Sequence, residues 1–247
     1  ATSRVWRLKQ AHLTMSDGGC LKDLQWCWYG LFVGSPTATE VLPRLFMGGL
    51  NRDEKFYARH SITHVVTLCG YGPPKHLSLQ KMHMPMSDCP CSDVVTRIRP
   101  IVQFIHKGRL QGGGVYVHCL RGVSRSSAMV IAYLMAVFDV DYDEAFRFLK
   151  SKRWCAFPNP GFQRQLSKLF DRRSLVELLD KIGANNEYKK TMKLQDHMSF
   201  NSWRSDIESG KGKNSESSNE LLLSKDGPGR SHDGDSYAYT RQPGKTE

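Results

Sequence analysis

No stretch of this 247-residue chain approaches the about 18–20 uninterrupted apolar residues that a membrane-spanning helix needs, so no transmembrane segment is expected. Residues 24–33 (Leu-Gln-Trp-Cys-Trp-Tyr-Gly-Leu-Phe-Val) are apolar but too short, and read as a patch packed on a folded domain. The seven cysteines, at 20, 27, 69, 89, 91, 119 and 155, lack the paired spacing of a disulfide framework. Cys89-Pro90-Cys91 is too tight for a zinc knuckle and has no second half, so free loop thiols and no metal are expected. A reducing compartment follows, giving a cytoplasmic and nuclear expectation for location. Also missing is a basic stripe interleaved with aromatics, which argues against nucleic acid as partner. The net charge of +11 is uneven: residues 1–175 carry 24 Lys and Arg against 12 Asp and Glu, and residues 176–247 carry 11 against 12. The positive excess therefore lies in the front part, where it attracts acidic, phosphorylated partners.

What the chain does carry is concentrated in Val117-His118-Cys119-Leu120-Arg121-Gly122-Val123-Ser124-Arg125-Ser126. An apolar run, Gly114 to Val117, precedes it and a buried-helix pattern, Ser127 to Phe138, follows. Strand, tight loop and helix start together form a cradle of backbone N–H groups for an anion. Residues 120–124, between Cys119 and Arg125, are the length needed to circle a tetrahedral oxyanion once, with Gly122 free to take a positive φ. The thiolate of Cys119 is the nucleophile, favoured by the helix N-terminus and by Arg125; such surroundings lower a cysteine pKa from about 8.5 to roughly 3.5–7.5. Arg125 presents a planar fork to two phosphate oxygens. Ser126 is placed to donate to the departing sulfur, and His118 to hydrogen-bond loop backbone. Arg121 is expected to point outward, toward acidic groups flanking a substrate. A buried structural cysteine would explain Cys119 alone; it does not explain His before, Gly within and Ser-Arg-Ser behind.

A thiolate attacking a phosphoester needs a proton for the leaving oxygen. Asp88 follows an expected strand, residues 82–86, and is assigned as general acid and then general base. An ordinary turn aspartate is the bland alternative. Asp93 is the rival, but it opens the amphipathic pattern Val94, Ile98, Ile101, Val102, Ile105 and is expected in a helix first turn.

Strands are expected in residues 40–49, 62–68, 82–86 and 114–118. Helices are expected over 53–59, 92–107, 127–138 and 141–152, the last started by the capping pair Asp141 and Glu144. A closing helix begins with Asn159 as N-cap and Pro160 at N1, its apolar face including Phe162, Leu166, Leu169 and Phe170. Strands alternating with helices define an α/β fold with a mostly parallel central sheet, the catalytic loop at the carboxyl end of a strand. Residues 37–179 form this domain, after an N-terminal extension of residues 1–36. Residues 180–247 are polar, with short apolar clusters such as Leu221-Leu222-Leu223, and are expected to be a disordered tail.

His118-Cys119-x5-Arg125-Ser126 resembles the signature of the protein tyrosine phosphatase superfamily. Val41-Leu42-Pro43-Arg44-Leu45-Phe46-Met47-Gly48, Ile62-Thr63-His64-Val65-Val66 and Asn159-Pro160-Gly161-Phe162-Gln163-Arg164-Gln165-Leu166 resemble its small atypical dual-specificity members, in particular the JNK-pathway-associated subgroup. Two departures are Ala136 where many relatives carry lysine, and Phe157 in place of the first asparagine of Asn-Pro-Asn-Pro. The resemblance implies a phosphocysteine intermediate on Cys119, a phosphate-binding loop of Leu120, Arg121, Gly122, Val123, Ser124 and Arg125, and Asp88 as the acid. It also implies a supporting place for His118 and Asn159, no cofactor, and phosphorylated protein substrates that include MAP-kinase pathway members. A phosphoinositide phosphatase is less expected, because lipid-directed relatives place lysines where Leu120 and Val123 stand. A non-catalytic phosphoprotein-binding module would require loss of Cys119, Arg125 or Asp88, and all three are present. The short domain leaves no room for the aromatic-recognition loop of strict tyrosine phosphatases, which favours a shallow, dual-specificity pocket.

Overall fold

The computed structural model describes residues 38–168, 171–183 and 186–210. The expected extension, residues 1–36, the 24–33 patch, Leu169, Phe170 and Leu221 to Leu223 lie outside the described residues.

Five strands form one sheet in the order β1-β2-β5-β3-β4: β1 Thr39–Leu42, β2 Leu45–Gly48, β3 Ile62–Thr67, β4 Gln80–His83 and β5 Gly114–His118. Only β1 and β2 pair antiparallel; β2·β5, β5·β3 and β3·β4 are parallel, as a mostly parallel α/β sheet requires. All five residues of β5 are buried, since the central strand of such a sheet is covered on both faces. Alternation sorts them: Val115 and Val117 join the large core, while Tyr116 joins a smaller cluster with Phe46, Phe56, Tyr57, Ile62 and Val65. That smaller layer includes Phe56 and Tyr57 of α1 (Glu54–Arg59), capped by Asp53 accepting from Lys55 N–H.

The large core takes residues of α2 (Val95–Leu110), α3 (Arg125–Phe138) and α4 (Tyr142–Lys152). α3 is buried nearly all round, as its sequence of Ser-Ser-Ala-Met-Val-Ile-Ala-Tyr-Leu-Met-Ala dictates. Asp141 caps α4 by accepting from Glu144 N–H at 2.9 Å. α5 (Pro160–Lys168) starts as its sequence predicts: Asn159 Oδ1 accepts from Phe162 N–H at 2.9 Å. Several boundaries move: the 40–49 region splits into β1 and β2, α2 starts at Val95 rather than 92, and α3 starts at Arg125 rather than 127. β4 lies at 80–83 rather than 82–86, being an exposed edge strand with Gln80 and Lys81; Met84 and Met86 continue it only as an extended segment, donating to Thr67 and Leu68 carbonyls. α2 runs on through Gly108, which sits where a Cβ would meet the His64 ring at 2.7 Å. Glycine there permits close helix–sheet contact instead of ending the helix.

The expectation of a disordered tail from residue 180 is corrected over its first part. α6 (Arg172–Lys181) reaches past that point, and Glu187–Glu208 forms a further helix, α7. Up to Trp203 this helix is docked on the core. Phe200 stacks on Phe138 at 4.2 Å between ring centroids, and Trp203 meets Phe148 edge-on at 5.3 Å. Asp196, 1% exposed, receives both ends of the Arg109 guanidinium at 2.7 and 2.8 Å. Arg109 spends its remaining donors on Pro43 O in the β1–β2 turn and on the Tyr133 hydroxyl, so all five N–H groups are satisfied. α7 ends at Glu208, and Gly210 beyond it holds a left-handed conformation, φ 74°. Residues 211–247 lie outside the described residues.

Removing one partner of a buried pair strands the other charge, at a cost of roughly 3–5 kcal/mol. Asp196→Ala is therefore expected to lose about that much stability in urea unfolding. The double change Arg109→Met with Asp196→Leu should recover most of it, and equal losses in both variants would contradict a packed role for α7.

Candidate active site

β5 delivers Cys119 to the carboxyl end of the sheet, and α3 begins six residues later at Arg125. Between them the chain turns its carbonyls outward. Cys119 O accepts from His118 Nδ1, Leu120 O from Leu50 N–H, Gly122 O from Arg153 Nε, Val123 O from Phe157 N–H and the Ser127 hydroxyl, and Ser124 O from Ala128 N–H. With these carbonyls tied to the surrounding fold, the opposite ends of the peptide dipoles are left for the centre of the loop. Gly122 N–H points at Cys119 Sγ, 3.2 Å away, and the Ser126 hydroxyl lies 3.3 Å from the same sulfur. Gly122 holds φ at 69°, and a Cβ there would lie 2.3 Å from the Gly48 carbonyl carbon. Both the conformation and the close pass over the end of β2 require glycine.

His118 is fully buried and bonded on both ring nitrogens. Cys119 O can only accept, so Nδ1 carries the proton, leaving Nε2 to accept from Thr67 Oγ1 at 2.9 Å. Burial pushes its pKa down to about 4, against a raising contact from Cys119 O, so the ring is neutral at pH 7. The ring thereby ties the end of β5 to Thr67 of β3 and to the loop backbone.

Asp88 meets the loop from the segment after β4. Oδ1 accepts from Ser124 Oγ at 2.6 Å and from Asn159 Nδ2 at 3.1 Å, and Oδ2 lies 3.3 Å from Arg125 Nε. Arg125 donates from Nη1 to Met86 O at 3.2 Å, so backbone of the extended segment after β4 orients the fork. Asn159 thus does more than cap α5: its N–H also donates to Ser124 Oγ, joining helix start, acid and loop in one network. Asp93 is elsewhere. It accepts from Thr96 at the start of α2, and those bonds, its side-chain contact with Thr96 first, hold its carboxyl below the usual range. A helix-start carboxylate that stays ionised is a poor proton donor.

Of the remaining loop residues, Leu120 is 47% exposed, Arg121 is half-buried, and Val123 is buried. Cys89 and Cys91 are joined in a disulfide, which corrects the expectation of free loop thiols; Cys69, Cys119 and Cys155 are the free cysteines among the described residues. Sequence reasoning missed Arg153. It is 3% exposed and its Nε donates to Gly122 O at 2.9 Å, while Nη1 reaches Thr39 Oγ1. Nothing in Ser151-Lys152-Arg153-Trp154 announces that contact. Among the described residues no group of three or more His, Cys, Asp or Glu is arranged to hold a metal ion, and no helix is long and apolar enough to cross a membrane.

A mostly parallel α/β sheet ending in a Cys-x5-Arg phosphate loop, with a carboxylate tied to that loop, defines the class of cysteine-dependent phosphatases. Comparison with known proteins carries this further. The family model of the dual specificity phosphatase catalytic domain matches residues 45–172. Dual specificity protein phosphatase 22 of Mus musculus is 36% identical over 132 residues, covering 53% of this chain and 72% of that protein. Dual specificity protein phosphatase 15 of Rattus norvegicus is also 36% identical over 132 residues, 53% of this chain and 56% of that protein. The crystal structure of DUSP15 superposes with a TM-score of 0.57 at 30% identity, covering 60% of this chain and 97% of that one. The chain belongs to the dual specificity phosphatase family, in the part of it that holds these atypical members, and is a protein phosphatase.

Proposed function

We propose that this chain hydrolyses phosphotyrosine, phosphoserine and phosphothreonine in proteins through a phosphocysteine on Cys119. The observation that supports this best is the convergence on one sulfur of the Gly122 N–H and the Ser126 hydroxyl, with Arg125 and Asp88 paired beside them. In the first step the Cys119 thiolate forms the S–P bond as the P–O bond to the substrate breaks, and Asp88 gives its proton to the leaving oxygen. Arg125 carries the equatorial oxygens. In the second step Asp88 takes a proton from water, the water oxygen attacks phosphorus, and the S–P bond breaks. The Ser126 hydroxyl then donates to the sulfur that leaves. Phosphate oxygens compete with Asp88 for the Arg125 fork, which frees the carboxyl to face the leaving group. Asn159 and Ser124 limit how far it travels.

The substrate class rests on Leu120 and Val123: neither offers a cation for additional phosphates of an inositol ring. Phosphorylated MAP-kinase pathway members are the partner class that family membership favours. Matched phosphotyrosine and phosphothreonine peptides, assayed beside a short-chain phosphoinositide with a chelator present, test the reading. Both peptides are expected to turn over faster than the lipid; a preference for the lipid would reassign the substrate.

A further inference from the structure

The outward-tied carbonyls of the phosphate loop are not tied alike. Those of Cys119, Leu120, Val123 and Ser124 accept from neutral donors: a neutral imidazole, backbone N–H groups and a hydroxyl. Gly122 O accepts from a cation, Arg153 Nε, at 2.9 Å. Arg153 closes α4, where its N–H donates to Leu149 O and its carbonyl accepts from Ala156 N–H, so the backbone that carries the side chain is fixed. Its Nη1 donates to Thr39 Oγ1 of β1 at 3.0 Å, and the residue is 3% exposed. A guanidinium held there is screened little by solvent or salt, and its charge acts on Gly122 O almost undiminished.

The peptide joining Gly122 to Val123 is trans, so its N–H points opposite to its carbonyl. The carbonyl faces Arg153 outside the loop. The Val123 N–H therefore faces inward, and it donates to no protein group among the described residues. Its neighbour in the chain is the Gly122 N–H that points at Cys119 Sγ. With Gly122 at φ 69° between them, the two N–H groups converge in the manner of an anion-binding nest. A cation on the carbonyl end polarises the planar unit and makes its N–H a stronger donor. We propose that Arg153 is a positioning residue for the phosphoryl group: through the Gly122–Val123 peptide it directs a strengthened Val123 N–H onto a phosphate oxygen. The inference rests on the phosphatase reading of the loop, and adds to it a residue from outside the Cys-x5-Arg segment.

Anchoring alone needs both ends of the guanidinium, Nε on Gly122 and Nη1 on Thr39, and every replacement of Arg153 forfeits it. Polarisation needs the charge. Inorganic phosphate is the probe, titrated into the full chain as an inhibitor of nitrophenyl phosphate hydrolysis and followed by amide NMR. In the unaltered chain phosphate should move the Val123 N–H downfield together with the Gly122 N–H. Arg153→Gln, which keeps a donor and loses the charge, should raise the inhibition constant about tenfold, the difference between a charge-assisted and a neutral bond, and shrink the Val123 shift. Arg153→Lys, which keeps the charge and loses the fork, should stay within about threefold of the unaltered chain. Thr39→Val removes the far anchor and leaves the cation, so it should lower stability and change the constant by less than about twofold. That variant decides the matter if Arg153→Gln does not fold. Equal weakening in Arg153→Lys and Arg153→Gln, weakening in Thr39→Val, or a Val123 amide unmoved by phosphate while Gly122 responds would each overturn the inference and leave the catalytic reading standing. Phosphate that moves no loop amide would overturn both.

Discussion

Cys119→Ser is expected to lower kcat on a phosphotyrosine peptide by on the order of 10⁴-fold or more, with the peptide still bound. The hydroxyl is far less acidic than the thiol, and the surroundings that favour a thiolate do not make a serine alkoxide available at neutral pH. Binding should survive because the oxygens are held by Arg125 and the loop backbone, whose outward carbonyl contacts involve Leu50, Arg153, Phe157 and Ala128 rather than the sulfur. Steady-state kinetics gives the first quantity and calorimetry with the same peptide the second. A loss below about tenfold would place the nucleophile elsewhere.

The second large effect belongs to Asp88→Ala. Where the leaving oxygen is an alkoxide, as in phosphothreonine, loss of the proton donor should cost roughly 10²–10⁴-fold in kcat. For a nitrophenyl phosphate, whose leaving group departs readily as an anion, the loss should be much smaller. The contrast between the two substrates is the diagnostic quantity, because disruption of the loop would depress both equally. Asp88 shares Oδ1 with Ser124 and Asn159, so Asp88→Asn, which keeps an acceptor for both, separates proton transfer from positioning. It should reproduce the kinetic defect with less loss of stability. Full activity of either variant on phosphothreonine would remove Asp88 from the proton path.

The phosphate loop was legible because its chemistry is contiguous: strand, nucleophile, glycine, arginine and helix start follow one another in the chain, and local geometry assembles them. Asp88 was legible by its place before the loop. Arg153 was not, since its contact with Gly122 O depends on how α4 meets the loop 31 residues away. The same holds for the double use of Asn159: a helix cap is written in Asn159-Pro160, whereas its bond to Asp88 joins positions 71 apart. α7 is hidden in the sequence for a related reason. Its buried residues Met192, Asp196 and Phe200 do lie four apart on one face, but the central one is a carboxylate, which a hydropathy pattern counts as solvent-facing. Its partner Arg109 lies 87 residues earlier. The β4 boundary differs in the opposite direction: alternation of Met82, Met84 and Met86 has the pattern of a strand, while the paired edge begins at polar Gln80.

The central claim is a covalent phosphoryl group on one sulfur. Rapid acid quenching of Asp88→Ala during turnover of nitrophenyl phosphate, followed by peptide mapping at acidic pH, looks for it directly. Attack remains feasible with that leaving group, while hydrolysis of the intermediate lacks its base, so the phosphoryl group should accumulate on the peptide carrying Cys119 and disappear in Cys119→Ser. Phosphoryl mass on any other residue, or turnover with no covalent adduct in the unaltered active loop, would contradict the mechanism.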